Sequence, residues 1–139
     1  MNKNINVAEK FILVKKAYDN AYAVYSNFQV GAVVVLKNGE YVIGSNVENA
    51  SYGLANCAER SALFAAYSLG YRKDDILELV VTANTAGPVS PCGACRQVIS
   101  ELMNADALVT MTNLKGDIKT VKVVELLPFS FNEGDLHAE

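Results

Sequence analysis

Two short cysteine groups constrain this chain more than any other feature. Cys57 is followed two residues later by Glu59 in Asn56-Cys57-Ala58-Glu59-Arg60, and the other two cysteines lie in Pro91-Cys92-Gly93-Ala94-Cys95-Arg96. Both groups stand where a helix is expected to begin. Asn56 and Glu59 have the spacing of an N-cap and its partner in a capping box, and Pro91 suits the opening of a helix. Helix N-termini carry partial positive charge and free N–H groups, which favour thiolates. A fold that uses both groups must bring two helix starts together. Cys92 and Cys95 lie one helical turn apart, so their sulfurs can share an ion, and Cys57 would complete a set of three. The bland alternative is that all three are small buried core residues.

The segments around these groups alternate in type. Val7, Phe11, Val14 and Tyr18 follow helical spacing behind an Asn6/Glu9 capping pair, predicting a first helix to about Ala23. Gln29 to Leu36 reads as a strand, Lys37-Asn38-Gly39-Glu40 as a hairpin turn, and Tyr41 to Ser45 as the returning strand. Asn46 to Asn56 is irregular. Cys57 to Leu69 reads as a helix stopped by Gly70, and Ile76 to Ala83 as a central apolar strand. A helix from Pro91 to about Met103 follows, then strands at Ala107 to Thr112 and Ile118 to Val123, then a short helix from Val124 to Leu127 before Pro128. The order α-β-β-α-β-α-β-β-α predicts an α/β fold: a five-stranded mixed sheet flanked by helices in three α-β-α layers. The chain shows no repeat, low-complexity tract or linker, and residues 1–139 match the size of one domain.

Composition narrows the function classes. Hydrophobic residues make up 51% and charged residues 19%, a globular balance. The net charge is −3 and the basic residues form no stripe, which argues against a nucleic-acid partner. No apolar stretch approaches the roughly 20 residues that span a bilayer, and Met1 to Asn6 hold no apolar leader core. A cytoplasmic protein without membrane contact is the expectation. Three cysteines cannot pair completely, and a reducing compartment favours thiolate chemistry over disulfides.

The missing fourth ligand gives the cysteines their meaning. A structural zinc is closed by four protein ligands, but there is no fourth cysteine and the single histidine, His137, lies near the C-terminus. An open position points to catalytic zinc, which lowers the pKa of bound water to about 7. Glu59 is either a capping-box member or a proton shuttle for that water. Three thiolates on Zn²⁺ leave an excess negative charge, which Arg60 is placed to offset through hydrogen bonds to sulfur. Arg96 is equally readable as such a partner or as an ordinary helix residue.

Cys57-Ala58-Glu59 followed by Pro91-Cys92-Gly93-Ala94-Cys95 resembles the zinc nucleoside and nucleobase deaminases. With Asn46-Val47-Glu48-Asn49-Ala50-Ser51-Tyr52, Ser90 to Val98 and Glu125-Leu126-Leu127-Pro128, nearly the whole chain is similar to the small homotetrameric cytidine deaminases. The resemblance implies a cytidine deaminase-like fold, one Zn²⁺ per subunit, and a role in pyrimidine salvage. Water activated on zinc would attack C4 of cytidine or 2′-deoxycytidine, with Glu59 relaying protons to N3 and to the leaving ammonia. It also implies substrate contacts. Asn46 and Glu48 would bond the ribose hydroxyls, and Phe28 would pack on the base, where core filling is the alternative. The Ala58 N–H would hold the base carbonyl, and the Ser90 C=O would receive the exocyclic amine. Phe131 and Tyr52 would reach the site of a neighbouring subunit.

Two departures stand out from the family pattern. Val24 precedes Tyr25-Ser26 where the family often has proline, and Phe129 follows Pro128 where it usually has glycine, which raises the question of which phenylalanine enters the adjacent pocket. Three rivals remain at this point. One is a deaminase of another aminopyrimidine nucleoside, such as the blasticidin S deaminases, and one is a nucleic-acid-editing deaminase, disfavoured by acidic charge and short length. The third is a structural zinc module, which would close its metal shell with His137 or another side chain.

Overall fold

The computed structural model describes residues 6–137; residues 1–5, in which no leader core was read, and 138–139 lie outside it. The elements are α1 (Val7–Asp19), β1 (Val30–Leu36), β2 (Tyr41–Ser45), α2 (Ala58–Ser68), β3 (Ile76–Ala83), α3 (Gly93–Leu102), β4 (Leu108–Thr112), β5 (Ile118–Lys122), α4 (Val123–Leu126) and α5 (Glu133–Leu136). The strands form a five-stranded sheet in the order β2-β1-β3-β4-β5. Only β3 and β4 pair in parallel; the other neighbours are antiparallel. The expected mixed α/β sheet is therefore present. Parallel strands need a crossover, and α3 lies between β3 and β4 in the chain.

The layers follow from side-chain alternation. Ala32, Val34 and Leu36 of β1 and Leu79 and Val81 of β3 pack in one cluster with Ala62 and Leu63 of α2 and Ile99 of α3. Val33 and Val35 of β1 and Val80 of β3 point the other way, into a cluster with Val14 of α1. Residues two apart share a face of a strand, so β1 is apolar throughout because it is covered on both sides. Burying each such valine or leucine contributes roughly 1.5–3 kcal/mol. Among the described residues, no helix is long and apolar enough to cross a membrane.

Two glycines let helices lie directly on the sheet. A Cβ on Gly31 would come within 2.3 Å of the Tyr18 backbone N in α1. A Cβ on Gly44 would come within 2.3 Å of the Ala62 N and 2.7 Å of the Ala58 O in α2. The second contact fixes the first turns of α2 against β2.

Element boundaries depart from expectation at several helix ends. Asn6 caps α1 as predicted, its side chain accepting the Glu9 N–H at 2.9 Å. The helix stops at Asp19 rather than Ala23, because Tyr22 is committed to backbone pairing with Asn46 and Glu48. Helix α2 starts at Ala58 with Cys57 as N-cap, and α3 starts at Gly93 with Cys92 as N-cap. The Asn56/Glu59 capping box does not form, because the Asn56 N–H and C=O both pair with Val47. Pro91 precedes the cap of α3 instead of opening the helix. Helix α5 and the 3₁₀ turns Tyr52–Leu54 and Lys73–Asp75 had no predicted counterpart.

Candidate functional site

The two N-caps meet. Cys57, Cys92 and Cys95 form a group with their sulfurs all within 4.8 Å of one another, and the Cys57 and Cys92 sulfurs are 3.9 Å apart. Two thiolates about 2.3 Å from a tetrahedral zinc stand roughly 3.8 Å from each other, so this spacing fits the ion. Cys95 is buried, Cys57 half-buried and Cys92 exposed, so the group opens to solvent on one side. Among the described residues, no histidine or carboxylate joins the three; His137 lies just beyond α5. Among the described residues the group offers a zinc three protein ligands, so a fourth position would be left to a small molecule.

The surrounding charges suit bound metal. Arg60 Nη2 donates to Cys57 Sγ at 3.2 Å. Its Nε is the one buried side-chain N or O among the described residues with no hydrogen-bond partner. With the Cys95 thiol and Arg60 donating to it, the Cys57 thiol is lowered to about 5. The same bond to Cys57, together with burial, pushes Cys95 up. In protein atoms alone, one thiolate is held by a neighbouring thiol and a guanidinium; a divalent cation would take over that role for all three sulfurs. Glu59, only 5% exposed, occupies the second position of α2 and lines the same cleft. Burial, the largest influence, raises its carboxyl above the ordinary range.

The cleft has a volume of about 410 Å³, within the usual span of small-molecule pockets. Phe28, Asn46, Glu48, Ala58 and Ser90 all line it beside Cys57, Cys92, Glu59 and Arg60. Phe28 is exposed at the cleft and does not fill the core. The segment that presents Asn46 and Glu48 is not merely irregular. Val47 pairs with Asn56 through two 3.0 Å backbone bonds, one residue before Cys57. That pairing tethers the polar pair directly to the metal-facing turn.

Both side chains of the pair have structural duties that the sequence did not disclose. Asn46 Oδ1 accepts the Val30 N–H and its Nδ2 donates to the Phe28 C=O, each at 2.8 Å. The Glu48 carboxylate accepts the backbone N–H groups of Tyr25 and Ser26 and the Ser26 hydroxyl. The Ser26 hydroxyl above all holds its carboxyl below the ordinary range. Asn46 and Glu48 thus clamp the segment from Tyr25 to Val30 that carries Phe28. The turn in that segment places Asn27 at φ +58°, a left-handed conformation that asparagine tolerates.

Tyr52 and Phe131 do not line this cleft. Tyr52 is 79% exposed and packs edge-to-face on Tyr25 with ring centroids 6.2 Å apart. Phe131 is exposed beside the C-terminal ends of α2 and α3. Arg96, left open by the sequence, is tied to backbone and to a hydroxyl rather than to sulfur.

Comparison with known proteins agrees with this geometry. Residues 6–112 match the family model described as the cytidine and deoxycytidylate deaminase zinc-binding region. A cytidine deaminase of Halalkalibacterium halodurans is 51% identical over 132 residues, which cover 93% of this chain and 98% of that relative. A cytidine deaminase of Sporosarcina psychrophila is 51% identical over 122 residues, 88% of each chain. The crystal structure of cytidine deaminase from Burkholderia pseudomallei superposes with a TM-score of 0.88 at 46% identity, covering 91% of this chain and all of that one. The family match takes in Cys57, Cys92 and Cys95 together with the two helix starts that present them, and by it the chain belongs to the zinc-binding cytidine and deoxycytidylate deaminase family.

Proposed function

We propose that this protein hydrolytically deaminates cytidine and 2′-deoxycytidine to the uracil nucleosides and ammonia. The observation that carries the reading is the three-sulfur group sharing one cleft with buried Glu59 and with Asn46 and Glu48. Zinc held by Cys57, Cys92 and Cys95, one ion per subunit, would supply Lewis acidity and bring the pKa of water near neutrality.

The residues of the chain do the rest. Glu59 takes a proton from the attacking water and delivers it to N3; a later proton transfer to the amino group lets ammonia leave. One water is consumed and one ammonia released. A carboxyl raised by burial suits a group that must both take and give a proton. The Ala58 N–H lies at the first position of α2, where backbone donors lack intrahelical partners, and is free to hold the base carbonyl. The Ser90 C=O receives the exocyclic amine, Phe28 packs on the base, and Asn46 and Glu48 bind the ribose hydroxyls. Arg60 offsets the charge of the sulfurs.

Charge favours nucleoside over nucleotide. Arg60 is the one cation lining the cleft, and it is engaged with Cys57; Glu48 is held in its ionised form. From its own subunit a 5′-phosphate would meet the Glu48 carboxylate, and the Arg60 cation is already bonded to Cys57. The exposure of Tyr52 and Phe131 outside their own cleft supports a homotetramer in which they complete a neighbour's site. The chain acts in this reading as one domain, in the cytoplasm, in pyrimidine salvage.

The test is loss of cytidine absorbance with zinc-loaded protein, run in parallel with 2′-deoxycytidine, deoxycytidylate and blasticidin S. Turnover of the two nucleosides is expected. Folded, zinc-bound tetramer inactive on both refutes the proposal, and preference for blasticidin S transfers it to the rival aminopyrimidine reading. Glu59→Gln should retain zinc and lower kcat by about 10²–10⁴-fold, the usual contribution of general acid–base catalysis.

A further inference from the structure

Arg96 has every one of its side-chain nitrogens committed. Its Nε donates to the Pro91 C=O at 2.9 Å, its Nη1 to the Leu126 C=O at 3.0 Å, and its Nη2 to the Ser90 hydroxyl. The first and third of these partners are the two residues immediately before Cys92. The second is the last residue of α4, a buried core position. One planar cation therefore spans between the C-terminal segment and the strip of chain that delivers both a metal-binding sulfur and the Ser90 carbonyl. Guanidinium is the group for such a task, because its donors are fixed in one plane and it stays charged.

The next residue repeats the fastening. Gln97 Nε2 donates to the Phe131 C=O at 2.9 Å. Consecutive residues of α3 thus hold the C-terminal segment at Leu126 and at Phe131. Between these holds lies Phe129, at φ +57° and fully exposed. Backbone bonds hold the strip only at its two ends, from the Val89 N–H to the Thr112 C=O at 3.0 Å and from the Arg96 N–H to the Cys92 C=O at 2.9 Å; Pro91 is buried, but Ser90 is exposed and its side chain is fastened by Arg96.

We infer that Arg96 is a positioning residue for the reaction: through Ser90 and Pro91 it sets where the amine-accepting carbonyl stands, and it does so from an anchor on the C-terminal segment. The inference rests on the deaminase reading above. It gives the C-terminal segment a part in its own subunit's site, separate from any reach of Phe131 into a neighbour.

The experiment compares the parent with Arg96→Ala, Arg96→Lys and Ser90→Ala, each with zinc stoichiometry and thermal unfolding measured beside kcat and KM for cytidine. Arg96→Ala is expected to keep parental zinc content and lose roughly ten- to a hundredfold in kcat/KM, since misplacement of a reacting group by about 1 Å costs up to that much. Methylguanidinium added to the assay should restore part of that loss, which a general loss of stability would not show. Arg96→Lys keeps the charge without the planar fork and should fall between parent and Arg96→Ala. The effect of Ser90→Ala should shrink in the Arg96→Lys background, because both changes cut the same connection. The inference is overturned by kcat/KM of Arg96→Ala within about twofold of parent, by a loss that follows zinc release and is not rescued, or, if Arg96→Ala does not fold, by full additivity of Ser90→Ala with Arg96→Lys. An inactive parent would refute the deaminase reading instead, so the two failures are distinct.

Discussion

Gly44 and Gly31 offer a controlled test of how the sheet positions the site. Alanine at Gly44 would place its Cβ 2.3 Å from the Ala62 N, with the Ala58 O and the Ala62 Cα both at 2.7 Å. Contacts become ordinary only beyond 3.4 Å, so the helix must retreat by about 1 Å, and the obstacles are backbone atoms that no rotamer change can move. Overpacking of this kind costs about 1–3 kcal/mol. At about 2.1 cal/mol/K of unfolding entropy per residue, a chain of this length should lose roughly 3–10 °C in Tm. The retreat also carries Cys57 and Glu59 away from Cys92 and Cys95, and a 1 Å displacement is enough for about a hundredfold loss in rate. Gly31→Ala meets equal crowding, at 2.3 Å from the Tyr18 N and 2.4 Å from the Val14 O, but it pushes on α1, which carries no site residue. Gly53→Ala has nothing within 4 Å of the new atom and serves as the blank. Deamination rates per zinc-loaded subunit, measured well below each Tm, should fall sharply for Gly44→Ala and little for Gly31→Ala. Equal rates in the two crowded variants, or a Gly44→Ala rate near that of Gly53→Ala, would refute the claim that the β2–α2 contact sets the site.

Two more outcomes are expected from the bonds at Arg60 and the backbone at Phe129. Arg60→Gln removes the 3.2 Å bond to the Cys57 sulfur, and zinc affinity measured by chelator competition should fall about 10–100-fold, as for other partners of metal ligands. Phe129→Gly should raise Tm by a few degrees, because a side chain at φ +57° costs about 1–2 kcal/mol and the fully exposed ring returns no intrachain packing; an unchanged or lower Tm in the assembled protein would mean that the ring is packed against another subunit.

What the sequence made legible was the part governed by local spacing. Cys92 and Cys95 were bound to meet on one helical turn, and the β1–β2 hairpin turned at Asn38-Gly39, where Gly39 has φ +86°. The position of Phe129 drew notice as a place for glycine, and its left-handed backbone explains why. What escaped was decided by partners far along the chain. Asn56 looked like a helix cap, yet its backbone was already claimed by Val47, so the cap passed to Cys57. Arg96 was undecidable because one of its acceptors, the Leu126 C=O, arrives from another element thirty residues away. The clamp that Asn46 and Glu48 place on the Phe28 segment gave no local signal, since its partners lie 16 to 23 positions apart in sequence.

That clamp has a consequence for anyone reshaping substrate choice. The Asn46 amide spends one donor on the Phe28 C=O and one lone pair on the Val30 N–H, leaving one of each for a visitor. If the proposed ribose contacts hold, a library aimed at new sugars would vary Asn46 and Glu48 first, and in doing so would unfasten the segment that carries Phe28. In the proposed site, sugar and base contacts would then change together, so productive variants should arise from paired changes in Tyr25–Val30 and Asn46–Glu48, not from either stretch alone.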